Sequence, residues 1–191
     1  MKKMILAVVC CLLAITTIAQ NDEHMTFKGI PMDGTLKHFT SKLKSKGYEL
    51  VGLQPGTSVL EGEFAGYKNC SIYVMADNSD NVCKVMVVLP FMYKWRELEE
   101  CYNDLVSMLK EKYGEPAHVE NSIGDGGTLS DKERIEELKN DNCRYFSIFY
   151  NEKGSVQSVI SHDGTTSCFV VLCYYDNANQ NLSRRRVLSD L

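Results

Sequence analysis

Cys143 and His162 are the residues whose types and spacing come nearest to a catalytic arrangement. A thiol acts as a nucleophile when an imidazole within hydrogen-bonding distance takes its proton. A turn at Glu152-Lys153 would place the two residues near each other on antiparallel strands. No glycine-rich nucleophile turn accompanies them. Two interpretations stay open, a cysteine-dependent hydrolase using Cys143 and His162 or a buried thiol beside a strand-end histidine, and the second is favoured.

The segment IGDGGT, residues 123–128, is the one glycine-rich stretch ahead of a predicted helix. Its backbone N–H groups could hold an anion. No G-K-[ST] follows, however, and no strand-to-helix context of a phosphate loop surrounds it. Asp125 and Asp163 lack calcium-loop spacing, and the chain has no C-x-x-C or H-x-x-x-H. We therefore predict a surface loop, no metal site and no cofactor.

An aromatic cluster, Phe91, Tyr93 and Trp95, lies near the middle of the chain. Exposed Trp and Tyr side chains often anchor protein interfaces. Aromatic clusters also pack the parts of a fold together. The three residues are the predicted binding residues, with internal packing as the alternative.

The N-terminus has the pattern of an export signal. Lys2 and Lys3 precede the apolar run MILAVVCCLLAITTI, and a small-x-small motif ends at Ala19. The run is short for a transmembrane helix, so we predict cleavage near Ala19-Gln20. The mature chain is expected to be periplasmic or secreted and to have no transmembrane segment.

Charge and cysteine content limit the partners. Without residues 1–19 the chain has 19 basic and 25 acidic residues, since only two lysines leave with that segment. An acidic chain is unsuited to nucleic acid, which requires an excess of Lys and Arg. The predicted partner is an unknown protein or small ligand in the cell envelope or outside the cell. Six cysteines remain, which permits disulfides. A two-residue hairpin loop at residues 78–79 or 79–80 gives two possible registers, which oppose Cys70 to position 87 or 89 and so exclude a bond with Cys83. Cys168 and Cys173 point to opposite faces of one strand, which excludes that bond as well.

Periodicity predicts an α+β fold. A strand is expected over Met25–Ile30, and helices over about 36–46 and 93–112 carry apolar stripes. Four alternating strands lie between the helices, and a capping box, Ser130 to Glu133, begins a short third helix. The last strand, CFVVLCYY, is apolar on both faces and is predicted to be central. A C-terminal helix capped by Asp176 or Asn177 and containing Arg184-Arg185-Arg186 should cover its second side.

An internal sequence similarity predicts a duplication. SKLKSKGYELVGL, residues 41–53, resembles SMLKEKYGEPAHV, residues 107–119, and Asn69-Cys70 can be aligned with Asn142-Cys143. We expect two tandem repeats, each a helix on an antiparallel sheet, over residues 20–92 and 93–191, with an insertion at about 120–141. The predicted function is a non-catalytic binding or protein-interaction module.

The phrase F-x-G-I-P-x-D-G-T, Phe27 to Thr35, followed by the helix stop K-G-Y at residues 46–48, resembles the opening of a group of uncharacterised exported proteins of Gram-negative gut anaerobes. The match covers about the first seventy residues well and the rest loosely, and it implies export but no activity. The tandem layout is similar to that of the β-lactamase inhibitory proteins, which bind through a concave sheet surface. That similarity assigns no residue a role.

Overall fold

The computed structural model describes residues 23–124, 127–164 and 167–181 of the chain. The predicted signal sequence, residues 1–19, and the cluster Arg184–Arg186 lie outside these ranges. So does most of the predicted C-terminal helix, although residues 177–181 are helical. None of the helices in the described part of the chain is long and apolar enough to span a membrane.

The described residues form strands and helices of an α+β protein. In chain order these are β1 (Thr26–Phe27), β2 (Ile30–Pro31), α1 (Leu36–Ser45), β3 (Glu49–Gln54), β4 (Thr57–Phe64), β5 (Tyr67–Ala76), β6 (Val82–Val88), α2 (Trp95–Tyr113), β7 (His118–Ile123), α3 (Asp131–Lys139), β8 (Cys143–Asn151), β9 (Gly154–His162) and β10 (Cys168–Asp176). The first strand differs from the prediction, because Lys28 and Gly29 have positive φ and turn the segment into a β1–β2 hairpin.

One antiparallel sheet of eight strands contains β3 to β10 in the order β3-β4-β5-β6-β10-β9-β8-β7. The last strand is central, as predicted. Strands β5 and β6 pair Ser71 with Val88 and Ile72 with Val87, which is one of the two predicted registers and keeps Cys70 away from Cys83. All six described cysteines are free thiols.

The sheet order corrects the strand alignment that the sequence suggested. That alignment placed Asn69-Cys70 of β5 on Asn142-Cys143 at the start of β8. Strand β5 is third from its edge of the sheet, whereas β8 is second from the opposite edge. By position β5 corresponds to β9, so the alignment was wrong by one strand.

Local signals account for the helices. Thr35 begins α1 by accepting the His38 N–H at 3.3 Å, and Gly114 ends α2 with φ 83°. The predicted capping box of α3 is present, with Glu133 Oε2 accepting from the Ser130 N–H at 2.7 Å. The helices pack on one face of the sheet. The core there is formed by alternate strand residues together with helix residues, among them Phe39, Leu43, Ile72, Val85, Trp95, Leu105, Val170 and Leu172.

A buried carboxylate joins the two ends of the described chain. Asp176, fully buried at the end of β10, accepts from His24 Nδ1 at 2.9 Å, the Met25 N–H at 2.6 Å and the Asn179 N–H at 2.9 Å. Asp176 is thus the cap that the sequence predicted for the terminal helix. Asn179 Nδ2 donates to the carbonyl oxygens of Met32 and Val82. The network fixes the β1–β2 hairpin against the centre of the sheet.

Replacing Asp176 with alanine should destabilise the fold by about 3 kcal/mol or more, because three buried donors lose their acceptor. Chemical denaturation followed by circular dichroism measures the free energy of unfolding. Asp104→Asn, at an exposed position on α2, is the matched control and should change stability by less than about 0.5 kcal/mol. An unchanged unfolding midpoint for the Asp176→Ala protein would show that the network does not stabilise the fold.

Gly154→Ala should destabilise the protein by about 2 kcal/mol or more, because there is no space for a side chain. A Cβ at Gly154 would lie 1.9 Å from the Tyr175 carbonyl oxygen and 2.4 Å from Met25 Cγ. Gly127→Ala is the control, since a Cβ there has no atom within 4 Å. Thermal unfolding of both variants tests this, and equal melting temperatures would contradict it.

Candidate functional site

The face of the sheet opposite the helices has an apolar centre. Side chains alternate between the two faces of a strand, so Val170 and Leu172 of β10 enter the core while Val171 and Cys173 point the other way. Yet Val171 and Cys173 are only 8% and 7% exposed. No described helix packs on this face. The low exposure of Val171 and Cys173 is therefore due to neighbouring side chains on the same face of the sheet.

These residues form the floor of a trough of about 840 Å³. Strands β5, β6, β10 and β9 supply the floor, and the connection after β6 closes one end. Its lining residues are Glu61, Asn69, Ser71, Tyr73, Met86, Val88, Leu89, Pro90, Phe91, Gln157, Val159, Ser161, Asp163, Phe169, Val171, Cys173 and Tyr175. We call this surface the trough.

The two ends of the trough differ in charge. Phe91 and Phe169, whose ring centroids are 5.8 Å apart, form one end of the trough, and Asp163 lines it there. Glu61 lines the side of the trough from β4, in the row of Val171, which is two residues along β10 from Phe169. Asp163 Oδ1 also accepts from the Ser167 N–H at 3.1 Å. At the other end, Lys84 Nζ lies 5.0 Å from the centre of the Tyr175 ring. The described residues that line the trough include no basic side chain.

The three predicted binding residues have separate positions. Trp95 is 1% exposed and packs edge-on against Tyr145, with ring centroids 5.4 Å apart. It therefore cannot anchor a partner at the surface, and its role is the internal packing that was the alternative prediction. Tyr93 is 74% exposed but does not line the trough. Phe91 is 55% exposed and does line it. The structure therefore brings only Phe91 to the candidate site.

Sequence reasoning missed the trough residues of the inner strands, such as Met86, Val88 and Val171. One signal was present, since β10 is apolar on both faces although it belongs to an antiparallel sheet. That pattern is typical of a strand covered on both sides. The sequence alone led us to explain this pattern by a C-terminal helix that covers the second face of β10, and not by a binding surface.

Cys143 and His162 lack the arrangement of a nucleophile and its base. The pairing of β8 with β9 ends at Phe146 and Val159, so it stops three residues short of Cys143 and three residues short of His162. His162 Nδ1 accepts from the Gly164 N–H at 3.0 Å, and its Nε2 lies 3.0 Å from Asp141 Oδ1. Both imidazole nitrogens are thus engaged. Burial raises the pKa of the Cys143 thiol to about 11, which opposes formation of the thiolate.

The remaining chemical candidates gain no support. Gly124 begins the glycine-rich turn with φ 53°, but residues 125 and 126 lie outside the described part of the chain. At the start of α3, the Glu133 N–H donates to Ser130 Oγ and the Ser130 N–H donates to Glu133 Oε2, so the capping box already uses these two donors. Among the described residues, no three His, Cys, Asp or Glu side chains converge as metal ligands would.

Comparisons with known proteins found no protein family, no curated protein and no solved structure that matches this chain. The function must therefore be argued from the geometry and chemistry of the sheet.

The Cys143 thiol should react with iodoacetamide about 100-fold more slowly at pH 8 than a thiol of ordinary pKa 9, because a pKa of about 11 lowers the thiolate fraction by that factor. The rate should rise as the pH approaches 11. Mass spectrometry of the peptide containing Cys143 measures it, with the urea-unfolded protein as the control. Equal rates for folded and unfolded protein at pH 8 would restore Cys143 as a candidate nucleophile.

Proposed function

We propose that the protein is an exported, non-catalytic binding module that takes its partner into the trough on the uncovered face of its sheet. The apolar trough itself is the observation that supports this proposal. Its volume of about 840 Å³ lies within the range of ligand sites. Its lining combines an apolar floor with a few polar groups, such as Ser71 and Gln157, as binding sites do.

An apolar surface of this kind is difficult to explain by stability alone. Sheets exposed on one side normally carry polar residues on that side. Here Val88, Val159 and Val171 lie on the exposed side of neighbouring strands, where they form a continuous row. Continuous exposed apolar surface on a protein generally marks an interaction site.

We also propose that the module arose as two tandem repeats, residues 20–92 and 93–191. The order helix then four strands occurs twice, as α1 with β3 to β6 and α2 with β7 to β10, with α3 added in the second. In each half, a hydroxyl group of the first helix, α1 or α2, contacts a buried serine of the second of the four strands, β4 or β8. These pairs are Thr40 with Ser58 and Tyr102 with Ser147. On this proposal the trough is a product of the duplication, since its floor spans both halves.

Binding of Nile red, an uncharged dye that fluoresces in apolar sites, tests the proposed use of the trough. Met86→Glu should weaken dye binding at least about 10-fold, because it places a charge on the apolar floor. Val119→Glu is the matched control, since Val119 is an exposed strand residue outside the trough. Circular dichroism should show both variants folded. Equal dye affinity for the two variants would refute the proposal, as would a turnover activity abolished by one substitution elsewhere.

A further inference from the structure

We infer that the trough receives one amphipathic α-helix of a partner protein. The helix lies along the strands, with its N-terminal end beside Glu61 and its C-terminal end beside Lys84. This inference rests on the proposed function and adds the structural class and the orientation of the partner.

The chemistry of the floor selects a helix over an extended segment. The N–H and C=O groups of the floor strands are used within the sheet, because each has a hydrogen-bonded strand on both sides. An extended peptide laid across side chains such as Val88 and Val171 would bury unpaired backbone groups, which is costly. A helix satisfies its own backbone and can present an apolar face. The opposite face of this sheet is already covered in that way by α1 and α2.

The dimensions agree with a helix. The floor is four strands wide, and three spacings of about 4.8 Å give about 14 Å, against a helix diameter of 10–12 Å. From Phe169 to Tyr175 the floor is seven residues long, and the six steps between them span about 20 Å. A helix of about 13 residues has that length.

The charges set the direction. Asp163 at the Phe169 end and Glu61 on the flanking strand β4, in the row of Val171, make that half of the trough negative, and Glu49 lies directly opposite Glu61 on β3. The Lys84 ammonium makes the other end positive. The N-terminus of a helix carries a partial positive charge and its C-terminus a partial negative charge. A helix with basic residues in its first turn and acidic residues in its last turn therefore complements both ends.

The proposed partner helix belongs to another protein, since the last described residues, 177–181, begin on the helix-covered side of the sheet. Asp176 and Asn179 hold the start of the terminal helix, on the helix-covered side of the sheet, against Met25 and Met32. Asn179 also binds the Val82 carbonyl oxygen on that side. The described chain thus ends facing away from the trough.

Synthetic helices test the inference. The forward peptide is a lactam-stapled, fluorescein-labelled 14-residue helix with a leucine stripe, two lysines in its first turn and two glutamates in its last. The reverse peptide exchanges the lysines and glutamates, and a third peptide carries proline at its centre. Fluorescence anisotropy should give about 10-fold tighter binding of the forward than of the reverse peptide. The proline peptide should lose binding, because its helix is broken.

A double charge exchange provides the decisive comparison. Glu61→Lys with Lys84→Glu should abolish the preference, because Asp163 and Glu49 keep the first end from becoming positive while the second end becomes negative, so that both peptides bind about equally. Glu63→Lys with Lys68→Glu changes the same charges at exposed positions outside the trough and should leave the preference unchanged. Unlabelled protein examined by sedimentation should be monomeric, and a dimer dissociated by Met86→Glu would make a second copy the occupant and overturn the inference.

The outcomes separate this inference from the proposed function. If both peptides bind equally and Met86→Glu abolishes binding, the trough is a binding site but the orientation is wrong. If the proline peptide binds as well as the forward peptide, or no peptide binds although Nile red does, the helical partner is wrong and the trough remains a binding site. If neither the peptides nor the dye respond to Met86→Glu, both proposals fail.

Discussion

The pairing of β6 with β10 is the contact on which the rest of the molecule depends. Each strand ends a four-stranded antiparallel run, and five residue pairs from Val88–Val171 to Lys84–Tyr175 join the two runs into one sheet. Neither run alone gives a helix a wide surface to cover. Once joined, the sheet supports a continuous core under α1 and α2. The same pairing aligns the side chains that form the trough.

Strand β10 shows how one segment serves both faces. Its even-numbered residues, such as Val170, Leu172 and Tyr174, belong to the core, and Asp176 at its end anchors the N-terminal hairpin. Its odd-numbered residues line the trough. On the proposed function, stability and binding therefore depend on the same backbone but on different side chains. Substitutions on the trough side can alter the binding surface with little effect on the core.

Local sequence patterns predicted the helices and most strands of the fold. The order of the strands in the sheet could not be predicted, because it depends on pairing between distant segments. Caps such as Thr35 and Ser130, the stripe of α2 and the apolar character of β10 are all visible in the sequence, and the structure confirms the elements they indicate. Period-two alternation states which residues share a face but not which strands are neighbours. The alignment of β5 with β8 was wrong for that reason. The β1–β2 hairpin was missed because two-residue strands are too short to show alternation.

The candidate site could be predicted only in part, for the same physical reason. Phe91 was identified by its aromatic type, but Trp95 was grouped with it although it begins a helix whose inner face is buried. The inner trough residues come from four strands that are far apart in the sequence, and no spacing rule connects Ser71, Val88, Val159 and Val171. Only the order of strands in the sheet brings them into one row.

The chemistry of the described thiols does not support the alternative of a cysteine-dependent hydrolase. Catalytic thiols need a lowered pKa and a base that is available to them. Burial instead raises the pKa of the described thiols, including Cys173 on the trough floor and Cys143 beneath the helices. The His162 imidazole is held by Gly164 and Asp141. On the proposed function, the sheet uses its row of apolar side chains, with charges near both ends, to hold a complementary surface.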